Sequence, residues 1–315
     1  MRIVFMGTPD FSVPVLEALV EGGHQVIAAV TQPDRPKGRG KAVMMSPVKE
    51  KALALGIPVY QPLKAREESF IRQMEELSPD AAVVVAFGQI LPQRILDIPK
   101  YGCINIHASL LPKYRGSAPI QWAVINGEKE TGITTMKMDA GVDTGDMLEQ
   151  AAVPLSPQET GGSLHEKLSA MAGPLILSTL EKLQAGSIIP VPQPEEGSSH
   201  AKMLTKEMGW IDWSWDAQRI ERLIRGLNPW PSAYTQLNGK TLKLWEAEVL
   251  QEEYEGQNGQ VVKSDKKHLY VKTGKGTLSI RSLQLEGKKR MDTETFLRGN
   301  SVPEGTVFPE AERRQ

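Results

Sequence analysis

Five short apolar runs recur through the first third of the chain with helical patterns between them, and this alternation restricts the fold more than any other feature. Residues 2–7, 24–31, 57–60, 81–87 and 102–107 read as strands. Between them Phe11, Val15 and Leu19 fall at helical spacing, and Ser46 and Pro47 supply a cap and a first-turn proline before KEKALALG, whose glycine closes the helix. Such a rhythm predicts an α/β fold with a mostly parallel sheet covered by helices on both faces. Because parallel crossovers are right-handed, the loops that handle ligands lie at strand C-termini. GTPD, VTQPDRPKGRGK, AFGQ and HASLLP all fall there.

The 315 residues suffice for two cores. After a helix near 118–126, TGITTMKMDAGVDTGDML reads as strand, glycine-rich turn and strand, and SLHEKLSAMAGPLILSTLEKLQ as one long helix. The prolines, glycine and serines of IIPVPQPEEGSS suit a linker. From about residue 236 short runs with N-G, S-D and G-K-G turn signals predict a small OB-like β-barrel. The expected boundaries are 1–189 for a catalytic domain, 190–205 for a linker and 206–315 for the barrel. Five of the six tryptophans lie in that last segment, where we expect them to form its core.

With 37 basic and 38 acidic residues the chain has no global field to attract a polyanion, so any nucleic-acid affinity must be local. The first apolar run, IVFM, is too short for a signal peptide or a membrane span, so a cytosolic protein is expected. Cys103 has no disulfide partner, and five scattered histidines lack metal-ligand spacing. Metal-free chemistry follows as the expectation.

The stretch GCINIHASLLPKYRG, residues 102–116, places Cys103, Asn105 and His107 on one strand face and Ile104 and Ile106 on the other. A solvated polar face is one explanation of N-x-H, and a reactive site is the other. A thiol relay fails on distance: Cys103 and His107 stand roughly 13 Å apart at strand rise, whereas a base must lie about 3 Å from its nucleophile. Asn105 and His107, roughly 6–7 Å apart, can instead converge on one reacting carbonyl. The amide donates to an oxyanion while the imidazole moves a proton or stabilises the same charge, which suits acyl transfer. A carboxylate to fix the imidazole is sought in DAGVDTGDM, from Asp139, Asp143 or Asp146. Asp143 lies between Gly141 and Gly145, which let the backbone bend back toward the sheet, although such runs also form plain solvated turns. GTPDF lacks G-x-G-x-x-G and carries Pro9 and Asp10, which disfavours a pyrophosphate. A metal-free acyl-transfer enzyme and a non-catalytic nucleotide-binding module are thus the two classes to separate.

The stretch NIHASLLPKYRGSAPIQWAVINGEKETGITTMKMDAGVDTGDML resembles the hallmark of the 10-formyltetrahydrofolate-dependent formyltransferases, with N-x-H, S-L-L-P and D-x-G-D in order. GTPDF, VTQPDRPKGRGK, SPVK, IDW near 211 and NPWP at 228–231 extend the resemblance nearly end to end, in the pattern of the members that act on charged initiator tRNA. Glycinamide ribonucleotide formyltransferases are similar over the first two thirds only. UDP-sugar formyltransferases and the hydrolase domain of formyltetrahydrofolate dehydrogenase share the two-domain plan without the basic PDRPKGRGK loop, so formylation of a nucleotide-sugar amine and formyltetrahydrofolate hydrolysis are the alternative activities.

The resemblance implies a Rossmann-like catalytic domain followed by an OB-like domain, 10-formyltetrahydrofolate as formyl donor, and the α-amino group of a methionyl initiator tRNA as acceptor. It implies Asn105, His107 and Asp143 as catalytic residues. Ser109, Leu110, Leu111 and Pro112, with Phe87, Gly88 and Gln89 near the pterin, are implied to hold the folate. Arg35, Lys37, Arg39 and Lys41 form a Pro/Gly-rich basic loop, which the family matches to the acceptor stem. A merely solvated loop is the alternative. Lys266 and Lys267, with Lys272 and Lys275 nearby, and Lys288, Lys289 and Arg290 suggest a basic face of the barrel toward tRNA. A monomer without membrane partners is expected.

Overall fold

The buried strands that the apolar runs announce stand side by side in one sheet. The computed structural model describes residues 1–37 and 42–310. In chain order the elements are β1 (Arg2–Gly7), α1 (Val13–Glu21), β2 (Gln25–Val30), β3 (Arg35–Lys37), β4 (Ala42–Met44), α2 (Pro47–Ala54), β5 (Val59–Tyr60) and α3 (Glu68–Leu77). There follow β6 (Ala81–Val85), α4 (Gln93–Leu96), β7 (Cys103–His107), β8 (Arg115–Gly116), α5 (Pro119–Ile125), β9 (Glu130–Lys137), β10 (Met147–Pro154), α6 (Gly161–Ala185) and β11 (His200–Ala201). The last group is α7 (Ala217–Gly226), β12 (Ala233–Leu237), β13 (Lys240–Val249), β14 (Val261–Ser264), β15 (Leu269–Lys272), β16 (Thr277–Leu285), β17 (Met291–Asp292) and α8 (Thr293–Gly299).

The chain divides into two units, one made of 1–119, 130–154 and 165–201, the other of 120–129, 155–164 and 202–315. In the first, seven strands run in the order β10-β9-β7-β6-β1-β2-β5. The pairs from β7 to β5 are parallel, while β9 and β10 join antiparallel at one edge. Val4, Met6, Ala28, Val30, Ala82, Val84 and Cys103 line one sheet face and pack against Phe70, Ile71 and Met74 of α3 and Ile95 of α4. Burying each larger side chain of this kind contributes about 1.5–3 kcal/mol. The capping chemistry of α2 follows the sequence, with Ser46 Oγ accepting from Lys49 N–H at 3.1 Å and Pro47 in the first turn.

The strand expected over 81–87 ends at Val85, because Ala86 turns into the left-handed region at φ 45° and releases the chain into a loop. Part of the segment between the long helix and the C-terminal unit is paired: β11 lies parallel to β8, with His200 opposite Arg115 and Ala201 opposite Gly116.

The second unit holds an antiparallel sheet, β12-β13-β16-β15-β14, with β17 added to β16. Asp216 caps α7 by accepting from Arg219 N–H at 2.8 Å, and Ile220, Leu223 and Ile224 are buried on its inner face. Trp213 is fully buried and stacks on Phe308 with centroids 5.5 Å apart. The core expectation for the tryptophans fails at Trp230, which is 55% exposed; it lies just beyond α7, between Pro229 and Pro231, outside any strand that would turn its ring inward. No helix among the described residues is long and apolar enough to cross a membrane.

Candidate active site

β7 enters the sheet between parallel β6 and antiparallel β9. Asn105 stands opposite Val84 and Met136, and His107 opposite Thr134. Both side chains are nearly out of water, Asn105 at 9% exposure and His107 at 6%. Burial at that level requires each polar atom to find a partner inside the protein or on a bound substrate.

The β9–β10 connection supplies the carboxylate. Asp139 nucleates the turn, accepting from Gly141 N–H at 3.0 Å and from the Thr144 hydroxyl at 2.8 Å. A Cβ on Gly145 would meet Lys137 O at 1.8 Å, so only glycine lets the chain pass there. The turn carries Asp143 back over β7 with φ 55°. Its Oδ1 accepts from Asn105 Nδ2 at 3.3 Å, and its Oδ2 accepts from Gly116 N–H at 2.9 Å. Oδ2 also lies 3.6 Å from His107 Nδ1, an ion-pair distance rather than a hydrogen bond. His107 Nε2 is 2.8 Å from Tyr114 O, and since a carbonyl only accepts, Nε2 is the donor. The structure therefore brings Asn105, His107 and Asp143 together, and leaves Asp139 and Asp146 as parts of the turn.

Cys103 sits on the same face but deep in the core, 1% exposed, with burial pushing its thiol up to about 12. Its Sγ contacts Ile95 O at 3.8 Å rather than any base.

β6 and β7 are parallel neighbours, so the loops 86–89 and 108–112 leave the same end of the sheet, at the strand C-termini. Ser109 is fully buried; its Oγ donates to Lys113 O at 2.6 Å, and its carbonyl accepts from Thr134 Oγ1 at 2.7 Å. Leu111 N–H donates to that Thr134 oxygen at 3.1 Å, and Leu111 O accepts from Gln150 at 2.9 Å. These bonds turn Ser109 and Leu111 inward, while Leu110 and Pro112 stay half-buried. Phe87 belongs to the core through its ring, and its carbonyl accepts from Thr8 and Gln32. Gln89 ties the loop down by accepting from Ala65 N–H and donating to Pro62 O. Gly88 is exposed with φ 83°.

Among the expected tRNA contacts, Arg39 and Lys41 lie outside the described residues, and Lys37 is described only by its main chain in β3. Arg35 is exposed and reaches Gln32 at 3.4 Å. Its neighbour Asp34 is engaged elsewhere: donors from Lys49 at 2.5 Å and Gln61 at 2.8 Å hold that carboxyl below its ordinary value. In the second unit Lys266, Lys267, Lys288 and Lys289 are exposed, with no side-chain partner among the described residues. Arg290 is different, since it donates to Glu246 at 2.5 Å and Ser282 at 2.9 Å. Among the described residues no group of three or more His, Cys, Asp or Glu side chains is placed to hold a metal.

Three participants escape the sequence reading. Tyr114 and Gly116 act through main-chain atoms, which no side-chain pattern reveals. Gln193 comes from the expected linker: its Nε2 donates to Asp143 O at 2.9 Å and Gly145 O at 2.7 Å, and its Oε1 accepts from Arg115 Nε at 2.9 Å.

The family profile described as Formyl transferase matches residues 1–180, and that of the formyl transferase C-terminal domain matches residues 203–301. The methionyl-tRNA formyltransferase of Agathobacter rectalis is 57% identical over 308 residues, covering 98% of this chain and 99% of the relative. That of Lachnospira eligens is 53% identical over 315 residues, covering 98% of this chain and 100% of the relative. Among solved structures, HypX from Aquifex aeolicus in complex with tetrahydrofolic acid is similar in fold, with a TM-score of 0.64 at 19% identity, covering 98% of this chain. This chain spans 51% of the HypX chain. With both domain profiles matched in order and more than half of the residues shared with full-length relatives, the chain belongs to the methionyl-tRNA formyltransferase family.

Proposed function

We propose that the protein moves the formyl group of 10-formyltetrahydrofolate to the α-amino group of methionine esterified to initiator tRNA, in the cytosol. The observation that carries this reading is the buried cluster of Asn105, His107 and Asp143 at the C-terminal end of β7. It supplies amide, imidazole and carboxylate within reach of one carbonyl, which is what transfer of an acyl group between nitrogens requires.

The attacking nucleophile is a neutral amine. An α-amino group has a pKa of about 7.7–8.0, so a substantial fraction is neutral at cellular pH without a strong base. As the new C–N bond forms, the formyl oxygen gains negative charge. Asn105 spends one amide hydrogen on Asp143 and has the second for that oxygen. The former amine then carries an extra proton, and N10 must gain one before the C–N10 bond breaks. His107 Nε2 is committed to Tyr114 O, so Nδ1, facing Asp143, is the nitrogen through which this proton moves. The loops 86–89 and 108–112 hold the folate beside the cluster, and the exposed lysines with the 35–41 loop meet the tRNA backbone.

Incubation with 10-formyltetrahydrofolate and methionyl initiator tRNA should yield formylmethionyl-tRNA, separable by electrophoresis after acid quench. Formylation of a nucleotide-linked amino sugar, or release of formate without an acceptor, with the tRNA left unmodified would replace this reading.

A further inference from the structure

We propose that Gln193 is a positioning residue of the active site, holding the Asp143 turn in its working conformation from a segment outside the sheet. Asp143 sits at φ 55°, in the left-handed region, which aspartate enters more readily than most residues, so contacts around the turn rather than the side chain alone hold it there. The main-chain oxygens that define the turn, Asp143 O and Gly145 O, both accept from the single Gln193 amide nitrogen, at 2.9 and 2.7 Å. One amide therefore clamps both sides of Thr144. The clamp is itself oriented: Arg115 Nε donates to Gln193 Oε1 at 2.9 Å, which fixes which end of the amide faces the turn.

The backbone around Gln193 is tied to the same loop. Val191 pairs with Met147 in an isolated antiparallel bridge. Ser199 Oγ accepts from Tyr114 N–H at 2.9 Å, and Ser199 O accepts from Arg115 N–H at 2.9 Å. Tyr114 offers its carbonyl to His107, and Gly116 gives its N–H to Asp143. The 191–201 segment thus braces both arms of the cluster, the Asp143 turn through Gln193 and the 114–116 strand through Ser199 and β11. The role assigned to Gln193 rests on the reading of Asp143 given above.

Gln193→Glu tests it, because the substitution keeps length and an acceptor for Arg115 while removing the donor aimed at the turn. The single-turnover formylation rate should fall about 10- to 100-fold, the scale of a displaced catalytic group, with KM for tRNA and folate unchanged. Amide hydrogen exchange over 139–146 should quicken, a readout that needs no activity. Arg115→Lys, which leaves Gln193 in place but removes its orienting donor, should lower the rate in the same direction. Glu195 meets Arg115 at 3.2 Å from an 84% exposed position, so Glu195→Gln should match wild type. A Gln193→Glu variant with the wild-type rate and wild-type exchange over the turn overturns the proposal, as does a lowered melting temperature with an unchanged rate, which would make Gln193 only a tether. Inactive wild-type enzyme sinks the proposed reaction instead, and the exchange measurement still decides for or against the clamp.

Discussion

His107 Nε2 lies 2.8 Å from the main-chain oxygen of Tyr114. The acceptor is a carbonyl, so the hydrogen belongs to Nε2 and the ring's exchangeable face is Nδ1, turned to Asp143. Tyr114 itself sits in the left-handed region, at φ 61°. A main-chain carbonyl thus fixes which ring nitrogen of His107 donates and which one faces the carboxylate, with no side chain acting as intermediary.

His107→Ala and Asn105→Ala should each lower the chemical step by about 100-fold or more, the effect of losing a positioned acid-base group or an oxyanion donor. Binding of tRNA should be little altered. Rapid-quench single turnovers separate the two, and near-normal rates in both variants would remove the cluster from the mechanism.

Gly116→Ala should damage both stability and rate. The residue sits at φ 112°, and a Cβ there would meet Ala201 O at 2.7 Å. Backbone strain of this type costs about 1–3 kcal/mol, and relief by movement would withdraw the N–H that Asp143 accepts. Urea midpoints with a parallel rate measurement check it; a wild-type midpoint would mean that β11 yields freely.

Cys103 should resist alkylation while the protein is folded. Burial pushes its thiol up to about 12, which leaves little of the reactive thiolate at about pH 8, and the side chain is 1% exposed. Mass spectrometry after iodoacetamide should find label only in denaturant, and Cys103→Ala should stay active. Rapid labelling of the native enzyme coupled to inactivation would contradict this.

The acid limb of the stability curve should depend on Glu149. Burial alone would raise its carboxyl, but donors from Lys182, Thr179 and Ser178 outweigh burial and hold it below the ordinary 4.5. A folded-state value below the unfolded one contributes stability that is present above pH 4.5 and is lost as pH falls through the folded value. Glu149→Gln should therefore cost stability near neutral pH and flatten the fall below it. Urea midpoints from pH 7 to about pH 3 read both, and parallel curves for variant and wild type would refute the assignment.

The strands, the α2 cap and the N-x-H face are legible because each is written in local periodicity: Asn105 and His107 must share a face wherever the strand lies. Asp143 is legible as a candidate through its flanking glycines, yet only the fold separates it from Asp139 and Asp146, since what distinguishes them is where the turn lands. Gln193 is not legible at all. It lies 50 residues from Asp143 in a proline-rich stretch, and hydrogen bonds from a side chain to distant main-chain oxygens leave no spacing signature. The end of the strand at Val85 is hidden because an alanine at positive φ looks, in sequence, like one more apolar strand residue.

The basic residues of the second unit should divide into two classes when tested against tRNA. Lys288 and Lys289 are exposed, with no side-chain partner among the described residues, so binding a phosphate costs them no existing ion pair. Arg290 has Glu246 and Ser282 as acceptors and lies over the Trp245 ring at 5.2 Å, so its charge is already engaged. Removing one cation from a phosphate should make the slope of log K against log salt shallower by about 0.7–0.9. Lys288→Ala with Lys289→Ala should therefore weaken binding and flatten the slope by roughly 1.5, leaving the melting temperature unchanged. Arg290→Ala should do the reverse, lowering the melting temperature as its bonds to Glu246 and Ser282 disappear while the slope stays close to that of wild type. Titrations across a salt series with parallel melting curves decide the matter, and a flattened slope for Arg290→Ala alone would transfer the phosphate-binding role to the arginine.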